Sequence, residues 1–125
     1  MRRDPEAGIL APRMATDVPS FELGIDTSDE RVTFVPRGEL DLATTPELEE
    51  KVLAALQEGS LGVVLDLREL TFMDSTGVRT LVAAHQTSER TGHALTIVRP
   101  PRDSAVSRVI EISGIDEALG LVDDW

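Results

Sequence analysis

Apolar Phe21, Leu23 and Ile25 alternate with Glu22, Gly24 and Asp26, the period of a half-buried strand. The polar run Thr27 to Glu30 then offers a turn, and Val32, Phe34 and Val35 continue as a second strand. Together they predict a hairpin that ends in Pro36 to Asp41, where Pro and Gly oppose further pairing. Thr44-Thr45-Pro46-Glu47 reads as a helix start, with a Thr cap, a proline in the first turn and an acid near the positive end of the dipole. Leu48, Val52, Ala55 and Leu56 share one face of that helix, and Gly59 supplies a left-handed stop. From Gly62 the pattern changes to Val63-Val64-Leu65-Asp66-Leu67, a nearly continuous apolar run that predicts a central strand covered on both faces. Val78, Leu81, Val82 and His85 follow at i, i+3, i+4 and i+7, a second helix that Gly92 ends. Ala94 to Val98 reads as another strand, stopped by Pro100 and Pro101. A shorter helical stripe, Val106, Val109, Ile110 and Ser113, reaches Gly114, and the tail adds Leu119, Leu121 and Val122 as closing apolar contacts.

Strand, helix and strand from Val63 to Val98 form one crossover unit, which is right-handed and makes its two strands parallel. The fold class is therefore α/β. In open sheets of this class the functional crevice lies beyond the carboxyl ends of the strands, where the segment Met73 to Gly77 falls. Residues 1–19 follow neither period and mix Pro, Gly and charged residues, so they are read as a flexible arm preceding a domain over 20–125.

Charge narrows the range of partners. Among 125 residues there are 12 basic and 23 acidic ones, a net charge of −11, which opposes a phosphate backbone or an anionic membrane. Neither nucleic acid nor membrane is expected as a partner. The chain has no cysteine, so neither disulfides nor thiolate metal sites are available. Its early apolar patch, Ile9 to Ala11, is far too short for a signal or spanning segment, and a cytoplasmic location is expected.

The stretch TFMDSTGVRT, Thr71 to Thr80, places the hydroxyl of Ser75 between Asp74 and the pair Thr76 and Gly77. Structurally, either Asp74 or Ser75 can cap the helix that begins there. Functionally, a hydroxyl at a helix start can accept a phosphate, which would meet the free N–H groups of the first turn. Hydrolytic use of Ser75 needs a base within reach. His85 lies about 15 Å along the same helix at ~1.5 Å per residue, and His93 falls at the far end of the crossover. The flanks also lack a G-x-S-x-G elbow, so no catalytic residue is expected. Two isolated histidines and dispersed acids give no metal-ligand spacing, and the glycines form no phosphate loop, so no metal or cofactor is expected. Asp66 as an aspartyl phosphoacceptor would want companion acids for Mg²⁺ and a nearby lysine, and Lys51 is the only lysine. A second polar cluster, Arg37-Gly38-Glu39-Leu40-Asp41, reads either as a solvated loop or as an acidic rim facing a partner, and spacing does not decide whether it lies beside Ser75.

Taken in order, RGELDLATTPEL (Arg37 to Leu48), VVLDLRELTFMDSTGVRTLV (Val63 to Val82) and the later Gly92, strand and short helix resemble the STAS domain family, and within it the free-standing anti-sigma factor antagonists. The resemblance covers Phe21 to Val122. It implies a mixed, mostly parallel sheet flanked by helices, with an N-terminal hairpin. It also implies a phosphoswitch at Ser75, the serine matching D-S-[ST]-G, with Asp74, Thr76 and Gly77 shaping the phosphosite loop. Glu39, Asp41, Asp74, Ser75 and Val78 would form the partner surface. The implied partners are an anti-sigma factor serine kinase, bound by the unphosphorylated form so that a sigma factor is released, and a PP2C-type phosphatase that reverses the modification. The protein itself would be a monomer or weak dimer and not an enzyme. The alternatives are a STAS scaffold subunit of a larger signalling complex and a small nucleotide-binding protein or hydrolase.

Overall fold

The structure, a computed structural model, describes residues 20–124; the N-terminal arm expected over 1–19 lies outside them. The elements follow as β1 (Phe21–Thr27), β2 (Arg31–Leu40), α1 (Thr45–Glu58), β3 (Gly62–Asp66), β4 (Leu70–Met73), α2 (Ser75–Thr91), β5 (Leu95–Val98), α3 (Ala105–Ser113) and α4 (Asp116–Leu119). β1 and β2 pair antiparallel from Phe21↔Gly38 to Thr27↔Val32, the expected hairpin. β3 lies parallel to both β2 and β5, so the sheet order is β1-β2-β3-β5 and the two strands of the crossover unit are parallel, as predicted.

Two features depart from the sequence expectation. β2 does not stop at Pro36 but runs through it to Leu40. The backbone explains why this costs nothing: Gly38 N donates to Glu69 and Glu39 N to Ser20, so by alternation the proline nitrogen faces the same side as Gly38 N. On that side β3 pairs only as far as Phe34, and β4 begins only at Gly38. Pro36 thus occupies the one gap where its missing N–H has no acceptor to disappoint. The second departure is β4 itself, a four-residue strand parallel to the end of β2 (Glu39↔Phe72, Leu40↔Met73) that no alternation announces.

Between these partners Gly38 adopts φ +98, next to a bulge at Gly38/Glu39. A Cβ there would sit 2.1 Å from the Ser20 carbonyl oxygen, so the chain needs a residue without one. Leu48, Val52 and Leu56 from α1, Leu81 and Ala84 from α2, and Val106 and Ile110 from α3 close one core over Val32, Phe34, Val63, Leu65 and Ile97. Val64 and Val98, on the opposite parity, are also buried, as a central strand covered on both faces requires. The tail adds the single turn α4, and Val122 then bridges to Val98, with Arg99 N donating to Val122 O and Val122 N to Ile97 O.

Candidate functional site

The ends of β2 and β4 bring the two polar motifs together. Asp74 N donates to Leu40 O at 3.3 Å, which holds Asp74 extended (φ −111, ψ −169) as the N-cap of α2. Its Oδ1 accepts from Thr76 N at 2.9 Å and from the Thr76 hydroxyl, while its carbonyl accepts from Gly77 N at 3.0 Å and Val78 N at 3.2 Å. Asp74, rather than Ser75, is therefore the cap. Ser75, Thr76 and Gly77 form the first turn of α2 rather than a loop. The helix can come this close to the sheet because residue 77 is glycine, where a Cβ would meet Met73 Cγ at 2.5 Å and Leu40 Cδ2 at 3.2 Å.

The two adjacent hydroxyls consequently differ. Thr76 is half-buried and donates to Asp74, whereas Ser75 is exposed and its hydroxyl has no partner among the described residues. Of the amides at the start of α2, Asp74 occupies those of Thr76, Gly77 and Val78, which leaves the N–H of Ser75 itself as the one a phosphate there could meet. The exposed Ser75 side chain stands next to a carboxylate that stays ionised. The Thr76 hydroxyl holds the Asp74 carboxyl below the usual range, with backbone amides assisting against the opposing effect of burial.

A prediction follows for the cap. Because the folded pKa of Asp74 lies below its unfolded value, its contribution is fully present above the ordinary aspartate range and is lost only as pH falls through the lower folded pKa. Asp74→Ala is expected to cost about 0.5–2 kcal/mol at pH 7 and progressively less as the pH falls below the ordinary aspartate range, read by urea denaturation across an acid series. A cost that stays constant down the series would show that the ionised carboxylate is not the capping group.

The Arg37 to Asp41 cluster divides into two roles. Glu39 is exposed at the strand end, opposite Phe72 in the register. Asp41 is turned inward: its Oδ1 accepts from Ala43 N (3.0 Å), Thr44 N (3.2 Å) and the Thr44 hydroxyl (3.2 Å). The single proton of the Thr44 hydroxyl is shared between that carboxylate and Glu39 O, 2.9 Å away, and its oxygen accepts from Asp41 N at 2.9 Å, so Thr44 occupies the N-cap position of α1 without capping it. This braced turn projects Leu42, 72 % exposed, and Phe72 on β4 is 45 % exposed. Both were missed by the sequence reading, although an apolar residue in a polar turn was the available signal. Val78 is half-buried against the core, so only part of it can face a partner.

The other candidate chemistries are placed elsewhere. His85 sits 3.3 Å from Glu89 on the same helix, and His93 packs over the end of α1 with Nδ1 against Leu56 O. Asp66 is buried, with both carboxylate oxygens bonded to Arg68 at 3.0 and 2.9 Å. No group of three His, Cys, Asp or Glu among the described residues is placed to hold a metal ion.

Comparison with known proteins matches residues 23–123 to the family described as Mlab, STAS domain. The chain is 30% identical over 82 residues to an anti-sigma-B factor antagonist of Staphylococcus aureus, covering 66% of this chain and 74% of that one. It is 32% identical over 84 residues to the anti-sigma-F factor antagonist RsfB of Mycobacterium tuberculosis, covering 67% and 66%. The crystal structure of an anti-sigma factor antagonist from Mycobacterium paratuberculosis superposes with a TM-score of 0.70 at 26% identity, over 84% of this chain and 87% of that one.

Proposed function

The chain belongs to the STAS domain family, and from that membership we propose that it is an anti-sigma factor antagonist whose binding is switched off by phosphorylation of Ser75. The unphosphorylated form binds an anti-sigma factor that is also a serine kinase, thereby freeing a sigma factor. The same kinase closes the switch and a PP2C-type phosphatase reopens it. The antagonist role is supported by the relatives, and the choice of residue by one observation. At the junction of the two motifs Ser75 offers an exposed hydroxyl with no partner among the described residues, while its neighbours Asp74 and Thr76 are bonded to one another.

The physical effect of the modification follows from that arrangement. Phosphoserine adds about −1.5 to −2 charges directly after an ionised Asp74, at the sheet end where Glu39 is also exposed. With the amides of Thr76, Gly77 and Val78 occupied, only the Ser75 N–H is left to a phosphate on this exposed residue, so the domain keeps its fold and the partner meets the new charge. The test is intact-mass analysis after incubation with candidate anti-sigma kinases and ATP. One added phosphate on the native chain and none on Ser75→Ala is the expected result. A phosphate that persists on the Ala variant moves the site to another residue.

A further inference from the structure

We propose that Arg79 is the counter-ion of the phosphorylated switch: phosphoserine at 75 pairs with the Arg79 guanidinium one turn further along α2. This rests on the reading of Ser75 as the phosphoacceptor and specifies where the added charge goes.

Four observations carry it. Ser75 and Arg79 are four residues apart on a continuous helix and both are exposed. Side chains at that spacing are neighbours, about 5–6 Å apart at Cβ, and an anion placed N-terminal to a cation is the favourable order. Arg79 has no hydrogen bond or ion pair among the described residues, whereas Arg68, Arg99 and Arg102 are each paired with an aspartate. Lastly, most of the usual recipient of an anion at a helix start is taken, because Asp74 holds the amides of Thr76, Gly77 and Val78 and leaves only that of Ser75. A phosphate leaving Ser75 is repelled by Asp74 on one side and meets a free cation on the other.

The consequence is a change in two charges rather than one. Before modification the surface presents a free guanidinium beside the hydroxyl; afterwards that guanidinium is engaged and a net anion takes its place. Pairing also favours the dianion over the monoanion, so the modified state carries more of its full charge near neutral pH.

The experiment installs phosphoserine at position 75 during translation, which makes it independent of any kinase, and follows the phosphate by ³¹P NMR as a function of pH. Arg79→Gln is expected to raise the second phosphate pKa by about 0.15–0.4 units relative to the native sequence, and Arg79→Lys to restore part of the difference. Asp74 at the start of α2, Glu39 at the end of β2 and Glu49 on α1, which accepts from the Thr80 hydroxyl at 3.0 Å, are unchanged in all these proteins and set a common background. Circular dichroism confirms that α2 is intact in each. An unchanged pKa in Arg79→Gln overturns the proposal, as does a shift produced by Arg108→Gln on α3 and not by Arg79→Gln. Failure of the phosphoswitch reading would instead appear as no kinase-dependent mass change, with this titration unaffected.

Discussion

Ser75→Asp is expected to bind the cognate anti-sigma kinase roughly 30- to 4,000-fold more weakly than the native chain, the equivalent of about 2–5 kcal/mol. Ser75→Ala is expected to bind as the native protein does and to remain bound in the presence of ATP. The Ser75 side chain makes no contact that either change can break, since it is exposed and unpartnered, so thermal stability should be the same in all three proteins. A loss of binding can then be read as repulsion at the interface rather than as unfolding. The charge arrives next to Asp74, which is ionised at all physiological pH values, and a partner that docks over this corner must desolvate both. Isothermal titration with the purified kinase decides the matter: undiminished affinity of the Asp variant would remove the electrostatic basis of the switch.

Gly38→Ala is expected to lower stability by about 3 kcal/mol or more, which for a domain of this size corresponds to roughly 10–20 °C in Tm. Two costs add. The residue is held at φ +98, which an L side chain adopts only with strain. The new methyl group would also lie 2.1 Å from the Ser20 carbonyl oxygen, a backbone atom that accepts from Glu39 N at 2.8 Å and cannot retreat without losing that bond. The strand would have to shift where it exchanges β3 for β4 as partner, at the same end that carries Glu39 and supports Asp74 through Leu40. Scanning calorimetry of the variant measures the loss; a Tm within a few degrees of the native value would show that the bulge can relax.

Most of the fold was legible because the chain marks its elements with period and punctuation. The apolar run at Val63 to Leu67, the helical stripe after Ser75, and Gly59, Gly92 and Gly114 as left-handed stops all fall where the structure places them. What was not legible depends on partners distant in sequence. β4 shows Leu70 and Met73 buried and Thr71 and Phe72 exposed, a pattern with neither period, because its pairing with β2 is so short. Pro36 looked like a terminator because its neighbours across the sheet were unknown, and only the gap between β3 and β4 makes it harmless. α4 is one turn without a side-chain cap, set between Gly114 and the bridge at Val122.

The same limit applied at the site. Asp74 and Ser75 are equally good caps by residue type, and the choice between them comes from the Asp74 N to Leu40 O bond that fixes residue 74 as extended. Asp41 read as surface because acids in loops usually are, whereas Thr44 three residues later turns its carboxylate inward. Arg79 was visible all along at helical spacing from Ser75. Its relevance emerges from the bonds that Asp74 makes to the amides of Thr76, Gly77 and Val78.

The strand order bears on how copies of the molecule meet one another. At one side of the sheet the tail bridge at Val122 lies over β5, while β1 at the other side has no neighbouring strand beyond it among the described residues. An unpaired strand is a template for edge-to-edge growth. Antiparallel pairing of two β1 strands about Gly24 would set Glu22 of one copy against Asp26 of the other, twice over, so like charges oppose each other across the new ladder. The acidic residues that alternate along β1 thus act as a barrier to fibrillar stacking, while Phe21 and Leu23 pack against the core.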